Sequence, residues 1–230
     1  GNMASGLHFS GRANITGQSF GGLMASGLLN VVGEHMNGLQ IAGIANITAS
    51  KLNGVQVALC NYATKARGLQ IGLVNYYKED MKGFQLGLVN ANPDTKVQMM
   101  VYGGNATPAN IGVRFKNQLF YTILGVGSMY QGLNDKFSAS ASYRAGLSFP
   151  LYKGLSISGD LGYQHIEAFD NKDEVIPKRL YALQARANLE YQFTKKFGIF
   201  ATGGYGVTRF YNKSSNYDKG AIIEAGIVLF

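Results

Sequence analysis

No intrachain disulfide can form in this 230-residue chain, because Cys60 is its only cysteine. Metal chemistry has little to work with: His8, His35 and His165 are the only histidines and show no ligand spacing. No run approaches the roughly 20 apolar residues that a membrane helix needs. The longest candidate, 22–33, is short and is interrupted by Ser26 and Asn30. Tryptophan is absent, proline occurs four times, and charged residues make up only 15%, against roughly 25% in an ordinary soluble domain. There is no Walker motif, and Gly203, Gly204 and Gly206 lie in a strand pattern with no following helix to hold phosphate. The start has no basic segment leading into an apolar stretch. A processed form is therefore expected, with the signal peptide gone and Gly1-Asn2-Met3 read as a cloning remnant.

What is present is glycine and aromatics: 31 Gly, 14 Tyr and 13 Phe. Mean hydropathy is near zero, as it would be if lipid-facing and inward residues alternated and cancelled. The formal charge of +8 comes from scattered lysines and arginines, many in turn-like segments such as Lys195-Lys196 and Lys178-Arg179. That scatter argues against nucleic acid and suits loops at a barrel rim or near anionic headgroups. Cys60 closes the apolar run 55–60 and reads as a small buried filler rather than a nucleophile.

Residues 1–95 repeat. Gly38-Leu-Gln-Ile-Ala-Gly-Ile-Ala-Asn46, Gly54-Val-Gln-Val-Ala-Leu-Cys-Asn61, Gly68-Leu-Gln-Ile-Gly-Leu-Val-Asn75 and Gly83-Phe-Gln-Leu-Gly-Leu-Val-Asn90 align on their first glycine. Weaker copies run from Gly22 to Asn30 and from Gly6 to Asn14. The glycines at 22, 38, 54, 68 and 83 are 16, 16, 14 and 15 residues apart. Leu69, Ile71 and Leu73 point one way and Gln70, Gly72 and Val74 the other, so each repeat is one strand and a turn. An antiparallel barrel would use each repeat as one up or down strand. A parallel solenoid would stack equivalent residues into ladders. For the solenoid, Asn61, Asn75 and Asn90 share the parity of the apolar face, and Met36, Leu52, Ala66 and Met81 recur two residues before each glycine. Against it, no capping segment separates the last repeat from the strands beyond it, and the barrel is the main expectation.

Beyond Val97 the alternation sharpens. Phe137, Ala139, Ala141, Tyr143, Ala145, Leu147 and Phe149 oppose Ser138, Ser140, Ser142, Arg144, Gly146 and Ser148. Residues 155–164 and 181–193 divide as cleanly. These strands exceed the usual five or six residues of globular sheets and carry aromatics at both ends, as membrane girdles do. Short turns (150–153, 194–196) alternate with longer loops (131–136, 167–178, 212–219). Six strands in the repeats and about eight after them, beginning near 97, 110, 118, 137, 154, 180, 197 and 220, give an all-β, up-and-down transmembrane barrel of about 14 strands. The alternative is an N-terminal solenoid of ~15-residue repeats (1–95) attached to an eight-stranded barrel (96–230).

The hairpin Tyr191-Gln-Phe-Thr-Lys-Lys-Phe-Gly-Ile-Phe200, the strand Gly203-Gly-Tyr-Gly-Val207 and the terminal Phe230 resemble small outer-membrane barrels of Gram-negative bacteria, especially Bacteroidetes-type ones. The Gly-x-Gln-x-Gly-x-x-Asn units are similar to a family of bacterial surface-repeat proteins. The resemblance implies an outer-membrane location and membrane lipid as a partner. It also implies recognition of the last strand, ending at Phe230, by the barrel-assembly machinery. These motifs mark a class and not an activity; the main expectation is a non-enzymatic role, as a porin-like channel or a surface-exposed structural or interaction protein, with a repeat-based binding module as the alternative. No cofactor is implied. Glu224 shares the parity of Phe230, so both cannot simply face lipid.

Arg144, Asp160, Arg186 and Glu190 fall on the inward parity, with Asp160 expected roughly opposite Arg186. They read either as a salt-bridged plug or as a charged constriction for ions. For a membrane-embedded hydrolase, His165 lies near a strand end, close in sequence to Glu167 and Asp170 and with serines in neighbouring strands. Its spacing is not distinctive, and an exposed interfacial histidine is the plainer reading.

Overall fold

The computed structural model describes residues 3–128, 130, 133, 137–169, 179–212 and 215–230. The expected longer loops at 131–136 and 167–178 lie largely outside these residues. Contacts divide the chain into two compact units, Gly1–Thr95 and Lys96–Phe230, and, among the described residues, both units are built of strands.

In the first unit the strands are β1 (Met3–Ser10), β2 (Ala13–Thr16), β3 (Ser19–Ser26), β4 (Leu29–Val32), β5 (His35–Ala42), β6 (Ala45–Val57), β7 (Cys60–Ile71), β8 (Val74–Leu86) and β9 (Val89–Ala91). Every pairing here is parallel, and the repeats stack in register: Gly6 on Gly22, Gly22 on Gly38, Gly38 on Gly54, Gly54 on Gly68, Gly68 on Gly83. The repeats therefore form a solenoid-like coil and do not enter the barrel, which corrects the fourteen-strand expectation in favour of the alternative. Glycine is required at the stacking position for two reasons. Gly54 has φ +141°, and a Cβ there would lie 1.9 Å from the carbonyl oxygen of Gly38.

The coil interior is apolar at one end of its cross-section and polar at the other. Phe20, Met24, Val32, Met36, Leu52, Ala63 and Ala66 form the apolar cluster. Gln40, Gln56, Gln70 and Gln85 form a ladder with each amide nitrogen 2.8 Å from the preceding amide oxygen. A second ladder joins Asn14, Asn30, Asn46, Asn61, Asn75 and Asn90 at 2.9–3.0 Å. The asparagines therefore sit inside with the glutamines, not on the face of the leucines whose parity they share. The cause is the bend between strands, as at Gly72–Leu73, which consumes residues outside the ladder and resets the alternation. The outward positions are aliphatic: Leu23, Leu39, Val55 and Leu69 stack in one column, and Ala25, Ile41, Val57 and Ile71 in the next. Cys60 is exposed, not buried, because it follows such a bend on an outward position.

The second unit contains β10 (Lys96–Gly104), β11 (Ala109–Asn117), β12 (Phe120–Ser128), β13 (Ser138–Tyr152), β14 (Leu155–Ala168), β15 (Arg179–Gln192), β16 (Phe197–Phe210) and β17 (Asn216–Leu229). Neighbours pair antiparallel in chain order, and β10 pairs with β17 to close an eight-stranded barrel. One end carries the tight turns 118–119, 153–154 and 193–196. Lys153 (φ 35°) and Gly154 (φ 87°) give the left-handed pair that matches strand twist in a two-residue hairpin. The opposite end carries the wider connections 129–137 and 169–178.

Candidate functional site

Alternation decides which side chains enter the barrel. On β15, Leu183 and Leu189 are exposed on the outer surface, while Gln184, Arg186, Asn188 and Glu190 are buried inside. Outward aromatics gather at both strand ends. Tyr191, Phe193 and Phe197 touch one another near the tight turns, and Phe137 meets Phe169 while Tyr163, Tyr181 and Tyr211 cluster at the other end. Between these girdles the outward residues of β14 to β17 include Ile157, Leu161, Leu183, Leu189, Ile199 and Ile223, all exposed. An apolar band between two aromatic girdles around a polar interior is the layout of a membrane-spanning barrel.

Among the described residues, three close arginine–carboxylate pairs hold the interior, and Arg144 Nη1 also lies 3.6 Å from Glu224. Arg144 donates from Nε to Asp160 Oδ1 and from Nη2 to Oδ2, both at 2.8 Å. Arg186 donates from Nε and Nη2 to the two Glu224 oxygens at 3.1 and 3.2 Å. Arg114 donates across the barrel to Glu190 at 2.6 and 2.9 Å. Three arginines thus meet three carboxylates, and the interior network is charge-balanced, as buried charge must be. Asp160 also accepts from the Tyr121 hydroxyl and from Asn188 Nδ2, each at 2.8 Å. The Arg144 guanidinium lies 5.9 Å from the Tyr102 ring centre.

All four residues named from the sequence are inside and belong to this network. Asp160 and Arg186 are cross-strand partners on β14 and β15, as their spacing suggests, yet neither bonds the other. Asp160 turns to Arg144 on one side, and Arg186 reaches Glu224 on β17. Two members were missed, Arg114 and Glu224. Arg114 could have been found by alternation, since Ile111, Val113 and Phe115 leave Gly112, Arg114 and Lys116 facing inward. For Glu224, neither it nor Phe230 faces lipid. Glu224 is buried among arginines, and Phe230 packs on the inner cluster containing Met100, Tyr102 and Val228.

The network packs closely. The space left among Met100, Arg114, Tyr121, Ile123, Arg144, Asn188 and Phe200 is about 10 Å³, room for no more than a single water. On the tight-turn side the barrel opens into a vestibule of about 680 Å³ lined by Lys96, Lys116, Ser148 and Glu190. A recess of about 320 Å³ beside Tyr130, Thr208 and Asp218 opens on the other side.

No protein-family model matches this chain, and no curated protein sequence matches it. Similar solved structures include the N-terminal β-barrel domain of Pseudomonas aeruginosa OprF, 17% identical with a TM-score of 0.38, covering 58% of this chain and 93% of that one. A designed transmembrane β-barrel is 14% identical with a TM-score of 0.36, over 58% of this chain and 91% of that one. Neisserial surface protein A is 9% identical with a TM-score of 0.36, over 58% of this chain and 92% of that one.

Outside the lumen, His165 Nδ1 lies 2.7 Å from the Tyr211 hydroxyl and Nε2 lies 3.4 Å from Glu167, which also binds Arg179. Burial and the hydrogen bond with Tyr163 push the Tyr211 phenol up to about 12. Among the described residues no serine is bonded to His165, and no cluster of metal-ligating side chains occurs.

Proposed function

We propose that the protein is a non-enzymatic outer-membrane barrel with a closed lumen, whose role is to anchor its repeat unit at the membrane as a structural or interaction module. The observation that carries this reading is the close packing of buried side chains inside the barrel. Arg114 and Arg144, packed with Tyr121, Asn188 and Glu190, leave a space of only about 10 Å³ between them, and Arg186 is buried against Glu224 beside them. Eight strands give an interior just wide enough for side chains to fill, so a solute path would require the ion pairs to part. Chain connectivity supports the sidedness. β10 begins at Lys96 among the tight turns, so the residues before it leave the membrane on that side, which in outer-membrane barrels is periplasmic. On this reading the repeats are not surface-displayed. The assembly machinery would read β17, with its exposed Ile223 on the lipid face and Phe230 at its end.

Purified protein in planar lipid bilayers tests the closed lumen. No unitary conductance is expected from the native chain or from Arg186→Ala, because Arg144, Tyr121 and Asn188 still fill the section. Regular single-channel steps from either protein would restore the porin-like reading.

A further inference from the structure

Around one of its two long edges the repeat coil reverses the usual order: the polar ladders lie within, and aliphatic side chains occupy the outer surface. At the bend forming that edge, Leu28, Ile44, Leu59, Leu73 and Leu88 follow one another coil by coil, between 36% and 51% exposed. Five such residues at the spacing of parallel strands make a ridge about 19 Å long. The opposite edge is polar, with Glu34, Lys65, Glu79 and Asp80 exposed and Lys65 paired to Glu79 at 3.2 Å.

A contiguous exposed apolar strip of this kind marks a binding surface, and we propose that the occupant is the hydrocarbon of the lipid leaflet on the tight-turn side of the barrel. Two observations favour lipid. First, the ridge backbone is already hydrogen-bonded. The carbonyls of Leu28, Ile44, Leu59 and Leu73 accept from Ala45, Cys60, Val74 and Val89 at 2.8–2.9 Å. The asparagine ladder takes up flanking carbonyls from within, Asn30 to Ile41 at 2.8 Å and Asn61 to Ile71 at 2.7 Å. Only backbone satisfied in this way can enter hydrocarbon without a penalty of several kcal/mol per group. Second, only Asn92 to Thr95 separate β9 from β10, the first strand of the membrane-spanning barrel. Four extended residues bridge at most about 18 Å between the flanking Cα atoms, so the coil is held within reach of a bilayer surface. The coil is amphipathic about its long axis, as an interfacial helix is, with the charged edge left to water. This inference rests on the membrane reading of the barrel.

The only cysteine supplies the probe, because exposed Cys60 adjoins Leu59 on the ridge. The full chain, bimane-labelled at Cys60, is reconstituted into phosphatidylethanolamine–phosphatidylglycerol vesicles with and without brominated acyl chains. Two further proteins in a Cys60→Ser background carry the label at Lys65→Cys on the charged edge and at Leu161→Cys in the barrel band. The expected result is blue-shifted emission at Cys60 that is lost to brominated lipid as it is at Leu161→Cys, with emission at Lys65→Cys retained. A Cys60 label that stays water-exposed, or is shielded but unquenched as against a second copy, overturns the proposal while quenching at Leu161→Cys keeps the barrel in the membrane. Absence of quenching at Leu161→Cys overturns the membrane reading itself, and this inference with it.

Discussion

Removing Asp160 tests whether the barrel interior is a dry, interlocked plug. Its two oxygens accept four hydrogen bonds within 2.8 Å, two from Arg144, one from Tyr121 and one from Asn188. In Asp160→Ala, Arg144 keeps a neutral acceptor, Asn188 Oδ1 at 3.1 Å, and as its only carboxylate the more distant Glu224, 3.6 Å from its Nη1, which is already engaged by Arg186. Breaking a buried pair by deleting one partner costs about 3–5 kcal/mol, chiefly from the stranded charge. Such a loss changes the unfolding equilibrium by roughly two to three and a half orders of magnitude. Urea titration of protein refolded in lipid vesicles, followed by tyrosine fluorescence and cold gel mobility, would measure it. The double variant Arg144→Met/Asp160→Leu removes both charges and should recover most of the loss, since apolar replacement of a buried pair is often close to neutral. If Asp160→Ala unfolds within about 0.5 kcal/mol of the native chain, the range of an inconsequential surface change, the lumen is hydrated and the plug argument fails.

Three further outcomes are expected from the two units. Gly54→Ala places a methyl 1.9 Å from the Gly38 carbonyl at φ +141° and should destabilise the repeats by more than about 2 kcal/mol; proteolysis confined to residues before Lys96 would register it, and unchanged protease resistance would contradict it. Asn46→Ala removes its hydrogen bonds to the carbonyls of Gln40 and Val57 and breaks the ladder in mid-course, costing about 1–3 kcal/mol. The same change at Asn14, on the exposed terminal coil, should cost less than at Asn46 in the same denaturant series. Unheated protein in dodecyl sulfate should migrate apart from boiled protein, as a closed barrel persists until heated; identical mobility would argue against eight strands sealed by the β10–β17 pairing.

How much was legible varied with the range of the information needed. Period-two alternation is local, and it places Arg144, Asp160, Arg186 and Glu190 inside correctly because nothing interrupts those long strands. In the repeats the same reasoning fails at Asn75. The two-residue bend at Gly72–Leu73 lies between strands, so parity counted through it puts the asparagine with the leucines. Cys60 was misjudged for the same reason. The ion-pair partners were not legible at all. Arg114 and Glu190 are on β11 and β15, and which inward charges meet depends on barrel tilt and closure, neither of which is written in any one strand. The choice between stacking and up-and-down pairing was carried by positions rather than composition. Identical glycines in successive turns suit a parallel coil, because their positive φ and carbonyl contact recur only when every coil runs the same way.

The seam between β10 and β17 has a consequence for the order in which the molecule is made. Tyr102 meets Gly226 there, so the cylinder cannot seal until its last strand has been synthesised and delivered. Each repeat, by contrast, needs only the coil about 15 residues away and can stack as soon as that coil emerges. Contacts of short sequence separation form faster than those that must close long loops. The repeats can therefore be in place while the barrel is still an open sheet with two unpaired edges. The half of the chain that depends only on near neighbours is made first, and the half that depends on its own final strand is made last.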